Sequence, residues 1–216
     1  MKKRRPARHR TGPTVIEEVA GTLDIDARLR TRIDELCEEG RSFWHAFDAE
    51  VRQDDFHPFV AADYGCVLDA LVALREPGRR FLEWGSATGV ITIMADLLGF
   101  DSCGIELDRS LVDFGRDLAE RSDSKARFAA GSFIPMGWEW KPRDGDARLG
   151  TIGQGPSGYL ELGRALGDFD VVYAFPWSGE EPMMLELMRA HGHEDARLLL
   201  HSTDYGVRVY RHGRVE

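Results

Sequence analysis

Cysteine is scarce in this chain: three in 216 residues, Cys37, Cys66 and Cys103, far apart and without ligand-like spacing. That excludes a disulfide-framed miniprotein and a Cys-x-x-Cys metal centre. All three are expected to be reduced core or boundary residues. No apolar run approaches the roughly 20 residues a membrane-spanning helix needs, and no signal-peptide pattern follows Met1. A cytoplasmic protein with no membrane contact is therefore expected. Positive charge is in deficit too, 28 Lys and Arg against 37 Asp and Glu, for a net charge of −9. Lys2, Lys3, Arg4, Arg5, Arg8 and Arg10 crowd the first ten residues without an acid, so residues 11–216 carry −15. A body this acidic repels a phosphate backbone, which argues against duplex nucleic acid as the main substrate. The basic arm, residues 1–13, reads as a solvated tail.

What is present is ordinary for a globular domain: 43% hydrophobic and 30% charged residues. The organising stretch runs from Phe81 to Val90, FLEWGSATGV. Residues 79–84 suit a strand, Gly85 to Gly89 a tight turn, and Val90, Ile91, Ile93, Met94, Leu97 and Leu98 a buried helix ending near Gly99. Such a turn sets backbone N–H groups and a helix N-terminus beside the crevice above a parallel sheet. A dinucleotide fingerprint would put its third small residue where Val90 stands, and no Gly-Lys-Ser/Thr ending marks a nucleoside triphosphate site. A second strand, residues 101–106, ends in Glu106 about 20 residues after the turn, where a carboxylate accepts ribose hydroxyl hydrogens. Asp108 is the expected cap of the following helix.

The pattern Glu83-x-Gly85-x-Ala87-x-Gly89 resembles the first motif of the class I S-adenosylmethionine-dependent methyltransferases, with Ala87 where the family most often has Gly. The resemblance covers roughly residues 56–211. It implies a doubly wound, mostly parallel α/β sheet of about six strands, order 3-2-1-4-5 plus an edge strand. It also implies a cofactor site made by Glu83, Gly85, Ser86, Ala87, Gly89, Glu106, Ser132, Phe133 and Tyr64. In the family Gly-Asp commonly follows the third strand; Gly131-Ser132 stands here, with Phe133 placed to press on the adenine. A fourth strand, residues 169–174, runs into Phe175-Pro176-Trp177. This resembles the acceptor motif of amino-methylating members, with Ala174 replacing its polar first residue and Phe175 its first proline. These three line the expected acceptor side, with no general base assigned; Tyr173, Glu180 and His201 stand near strand ends. No acid for Mg²⁺ stands at that strand end, and no metal is expected; His191-x-His193 has no third ligand in reach.

Upstream, Ile25, Leu29, Ile33 and Leu36 predict a helix stopped at Gly40, and Phe43, Trp44, Phe47 and Val51 a second one after Ser42. Residues 14–55 form the helical extension and 56–216 the cofactor domain. Asp63 is the expected cap of a helix through Leu74, and His57 and Tyr64 are candidates to close over the cofactor. Residues 134–158 suggest an irregular, glycine-rich excursion. The expected reaction is methyl transfer to a nitrogen or oxygen of a small-molecule or protein substrate. A non-catalytic cofactor-binding module and an NAD-linked oxidoreductase are the alternatives.

Overall fold

The computed structural model describes residues 25–51, 61–139, 155–177, 179–211 and 214–216. His57, the basic arm, and much of the glycine-rich excursion lie outside the described residues. Helix α1 spans Ala27–Val51 and α2 Tyr64–Leu74. Then follow β1 Arg80–Trp84, α3 Val90–Leu97, β2 Asp101–Glu106, α4 Arg109–Arg121, β3 Arg127–Ala130, α5 Tyr159–Leu162, β4 Val171–Ala174, α6 Glu181–His191, β5 Arg197–Ser202, β6 Gly206–Arg211 and β7 Arg214–Val215. Among these residues no helix is long and apolar enough to cross a membrane.

The strands make one sheet in the order β3-β2-β1-β4-β5-β6-β7. The first five are parallel; β6 returns antiparallel beside β5, and the two-residue β7 pairs antiparallel with β6. The expected edge strand is thus an inner one, and the sheet has seven strands rather than about six. Chain order reverses between β1 and β4, and the carboxyl ends of those strands open the crevice where such folds take ligands.

Alternate residues of each strand feed two cores. Phe81, Val171, Tyr173, Leu199 and Val209 pack under α1 to α4, while Leu82, Trp84, Ile105, Val172, Ala174, Leu198 and Leu200 pack against α5 and α6. The helices start where the sequence provides acceptors. Asp63 takes the Gly65 and Cys66 amides at 3.0 and 3.1 Å, and Asp108 takes Ser110 and Leu111 at 2.8 and 3.3 Å. All three cysteines are free thiols.

The expected break at Gly40 does not occur: α1 runs through it as one helix of 25 residues. Gly40 marks a crossing instead, since a Cβ there would run into the Val90 methyl Cγ2 at the start of α3. Arg32 donates to the Ser122 carbonyl at 2.7 Å, Glu39 pairs with Arg121 at 2.5 Å, and Phe43 stacks on Phe114 with centroids 3.6 Å apart. So α1 lies antiparallel along α4 and carries its second half toward the carboxyl edge of the sheet. Gly40→Ala is expected to lower the urea unfolding free energy by about 1 to 2 kcal/mol, overpacking outweighing the better helix propensity of alanine. An unchanged midpoint would show that the two helices are not tightly seated there.

Candidate functional site

The site is built on the bend between β1 and α3. Gly85 and Gly89 have φ of +70° and +80°, and Ala87 takes the left-handed region as well, at +45°. For alanine that conformation is strained, which is the local cost of this departure from an all-glycine turn. Amides of Gly85 and Ser86 both donate to the Ile105 carbonyl, at 2.9 and 3.0 Å, and Gly89 closes the turn on Ser86 at 2.7 Å. A Cβ on Gly85 would meet nothing within 4 Å, so the bend presents bare backbone to open space. A Cβ on Gly89 would strike the Phe128 ring at 2.7 Å. One glycine is needed for exposure and the other for closeness.

Glu106 is what holds β2 to this bend. Its Oε2 accepts the Ala87 amide at 2.8 Å and its Oε1 the Asp108 amide at 3.0 Å. An ionised carboxylate has about four acceptor directions, so these amides do not exhaust it and capacity remains for a hydroxyl donor. Burial pushes its pKa up, against the lowering effect of the Asp108, Ala87 and Leu107 amides.

Glu83 plays a different part. It is buried beneath the turn, and Oε2 accepts both the amide of Thr92, at 2.9 Å, and its hydroxyl, at 2.5 Å. Thr92 is the third residue of α3, whose N-cap, Gly89, has no side chain to offer. The strand carboxyl is thus a cap supplied from nine residues upstream. Burial pushes its pKa up to about 8, which the Thr92 hydrogen bonds only partly oppose. Its connection to the crevice therefore runs through the turn it braces. Gly104, unremarked in the sequence reading, makes room for this arrangement, because a Cβ there would lie 2.7 to 2.8 Å from Ser86 and Thr92. A glycine inside a strand is itself the available signal for such an approach.

The other cofactor candidates converge less tightly. Ser132 is buried and its hydroxyl accepts the Ile134 amide at 3.0 Å. Phe133 is stacked on Trp84, centroids 5.1 Å apart and planes at 17°. Ser86 is buried in the turn itself. Tyr64, at the start of α2, hydrogen-bonds the Thr88 side chain and so reaches the turn from above; burial raises its pKa to about 12.

Past β4, where the acceptor side is expected, Phe175 and Pro176 are half-buried and Trp177 is 37% exposed. The Trp177 amide donates to Glu180 at 3.0 Å, fixing the loop that leads into α6. Phe175 rests on the His201 ring at 4.5 Å between centroids, and His201 Nδ1 lies 3.1 Å from the Tyr173 hydroxyl. That pair was not singled out as a unit by sequence, since β4 and β5 meet only in the fold. His191 and His193 are exposed, and among the described residues no group of three or more His, Cys, Asp or Glu could hold a metal ion.

A glycine turn at a topological switch point, with a strand-end acid hydrogen-bonded to it, is the arrangement of a Rossmann-like doubly wound fold. No family model and no curated protein matches the chain. Solved structures with a similar fold include a TehB-like S-adenosylmethionine-dependent methyltransferase from Corynebacterium glutamicum. It is 15% identical, with 76% of this chain and 72% of that one covered and a TM-score of 0.41. A precorrin-6y C5,15-methyltransferase from Geobacter metallireducens is 14% identical over 68% of this chain and 65% of its own, TM-score 0.46. An S-adenosylmethionine-dependent methyltransferase from Thiobacillus denitrificans, in complex with S-adenosylhomocysteine, is 17% identical over 72% and 54%, TM-score 0.45.

The state of Glu83 sets a pH dependence. Its pKa rises from 4.5 to about 8 on folding, so between these values the folded state holds more protons and stability falls as pH rises. Urea unfolding at about pH 5.5 and 8.5 should therefore show a loss in the unaltered protein that Glu83→Gln reduces, since the amide oxygen still accepts from Thr92. Equal pH slopes for the two proteins would show that Glu83 does not titrate in this way.

Proposed function

We propose that this chain is an S-adenosylmethionine-dependent methyltransferase acting on a nitrogen or oxygen of a small-molecule or protein acceptor. The observation that carries the reading is the hydrogen bond between Glu106 and the Ala87 amide, which joins the strand-end acid to a bend whose Gly85 faces open space. The residues fit the cofactor in kind. Bare backbone at Gly85 to Gly89 suits its methionine end, and the acceptor capacity left on Glu106 suits a ribose hydroxyl. Ser132, its oxygen already accepting from Ile134, has a proton to donate to an adenine ring nitrogen. When bound, the cofactor supplies a methyl group on a sulfonium sulfur, already activated for transfer.

The protein's own work is then alignment. Phe175 and Pro176 form the wall past β4, and Trp177 offers an exposed ring to a planar or cationic acceptor. Holding acceptor and methyl in line supplies most of what such a displacement needs, because the leaving group asks nothing further of the side chains. The acidic body suits a neutral or cationic acceptor better than a polyanion.

Calorimetry with S-adenosylhomocysteine tests the cofactor site. Glu106→Ala is expected to weaken binding by at least ~1 kcal/mol, about fivefold, the scale of a lost charge-assisted hydrogen bond. No binding by the unaltered protein at about 1 mM ligand, a Kd weaker than roughly −4 kcal/mol, would remove the proposal. Methyl-tritiated S-adenosylmethionine incubated with a cell extract then separates an enzyme from a cofactor-binding scaffold. Labelled protein bands would indicate a protein acceptor, and labelled small molecules a metabolite.

A further inference from the structure

Three titratable side chains stand on one face of the sheet, on three neighbouring strands. Glu83 on β1 pairs in register with Tyr173 on β4, and Tyr173 with Leu199 on β5. His201, two residues beyond Leu199, shares its face and lies one step closer to the carboxyl edge. The Tyr173 hydroxyl and His201 Nδ1 are 3.1 Å apart, and the His201 ring lies against Phe175, the first residue past β4. Glu83, Tyr173 and His201 are all buried. Packing alone does not call for such a pair, because two apolar side chains would fill the space without the cost of desolvating a phenol and an imidazole.

Building on the methyl-transfer reading, we propose that His201 takes the proton released by the methyl acceptor, and that Tyr173 positions its ring. With Nδ1–H donating to the Tyr173 oxygen, Nε2 keeps its lone pair. The acceptor's lone pair forms the new bond to the methyl carbon, and the carbon–sulfur bond breaks with its electrons left on sulfur. The proton on the acceptor nitrogen or oxygen moves to Nε2. No other reactant is required. His201 is buried with Phe175 against its ring, so the proposal requires Phe175 to give way as the acceptor enters.

The surroundings keep the pair in the required state. Burial pushes the basicity of His201 down and Asp63, at the cap of α2, opposes it; on β6 the residue across from His201 is the apolar Val207. Around Tyr173, burial and the neighbouring Glu83, Tyr64 and Cys66 hold the phenol protonated. His201 is thus neutral near pH 7 and able to accept.

The test uses His201→Gln and Tyr173→Phe in the full chain, with three readouts. These are S-adenosylhomocysteine calorimetry, the urea midpoint, and tritium transfer from S-adenosylmethionine to extract acceptors over about pH 5.5 to 8.5. His201→Gln is expected to keep its cofactor affinity within about twofold and lose about 100-fold in transfer, with the low-pH inflection of the unaltered protein's rate abolished. Tyr173→Phe should keep the inflection, displace it and slow transfer by about tenfold. Transfer at nearly the unaltered rate in His201→Gln, or a loss that leaves the inflection in place, would overturn the role of His201 while the cofactor site stands. Should His201→Gln not fold, an unchanged pH profile in Tyr173→Phe overturns it. Absence of S-adenosylhomocysteine binding by the unaltered protein takes down this proposal together with the methyl-transfer reading.

Discussion

The hydrogen bond from the Ala87 amide to the Glu106 carboxylate joins two strands at the place where the sheet has to stay open. A parallel sheet that reverses its order leaves a gap above the reversal, and the loops beside a gap have backbone groups to satisfy. Here the second strand's acid satisfies one of them at 2.8 Å, and the Ile105 carbonyl fixes two more amides of the same bend. The turn is therefore rigid without being filled. Its positive φ values at Gly85, Ala87 and Gly89 are held by these contacts, so the strain at Ala87 is compensated locally.

The strand ladder and the motif that crosses it were legible because they depend on nearest neighbours in sequence. A continuous apolar run gave β4, the glycine turn and the strand-end acid gave β1 and β2, and short polar residues before apolar ones gave the caps at Asp63 and Asp108. Gly40 misled because the stop signal of a helix and the small side chain needed where two helices cross are written with the same residue. Only the position of Val90 in space decides between them. The part taken by Glu83 was hidden for a similar reason. Its spacing to Gly85 identifies the motif, yet its hydrogen-bond partner is nine residues on, and the choice between facing the crevice and facing the helix belongs to the pleat of β1.

The acceptor side was the least legible. Phe175, Pro176 and Trp177 are contiguous and could be read together, whereas Tyr173 and His201 are 28 residues apart and meet only because β4 and β5 are neighbours. The sheet also ends differently from the expectation. A tight return at residues 203–205 puts β6 antiparallel beside β5, and the two-residue β7 adds a further strand outside the expected edge. That hairpin turns at the carboxyl edge, next to His201.

Glu83 and Glu106 also bear on which nucleotide this crevice accepts. A helix N-terminus facing such a crevice ordinarily offers its free amides to a pyrophosphate. In this chain the Thr92 amide of α3 already donates to Glu83, and Glu106 stands at the next strand end. A dinucleotide would bring about two negative charges to a helix end where one amide is already taken by the protein's own buried carboxyl. A ligand with ribose hydroxyls and no phosphate needs none of those amides and asks only Glu106 for hydrogen bonds. Glu83 thus withdraws from the crevice one of the amides that a pyrophosphate would use, and leaves Glu106 to meet the ribose.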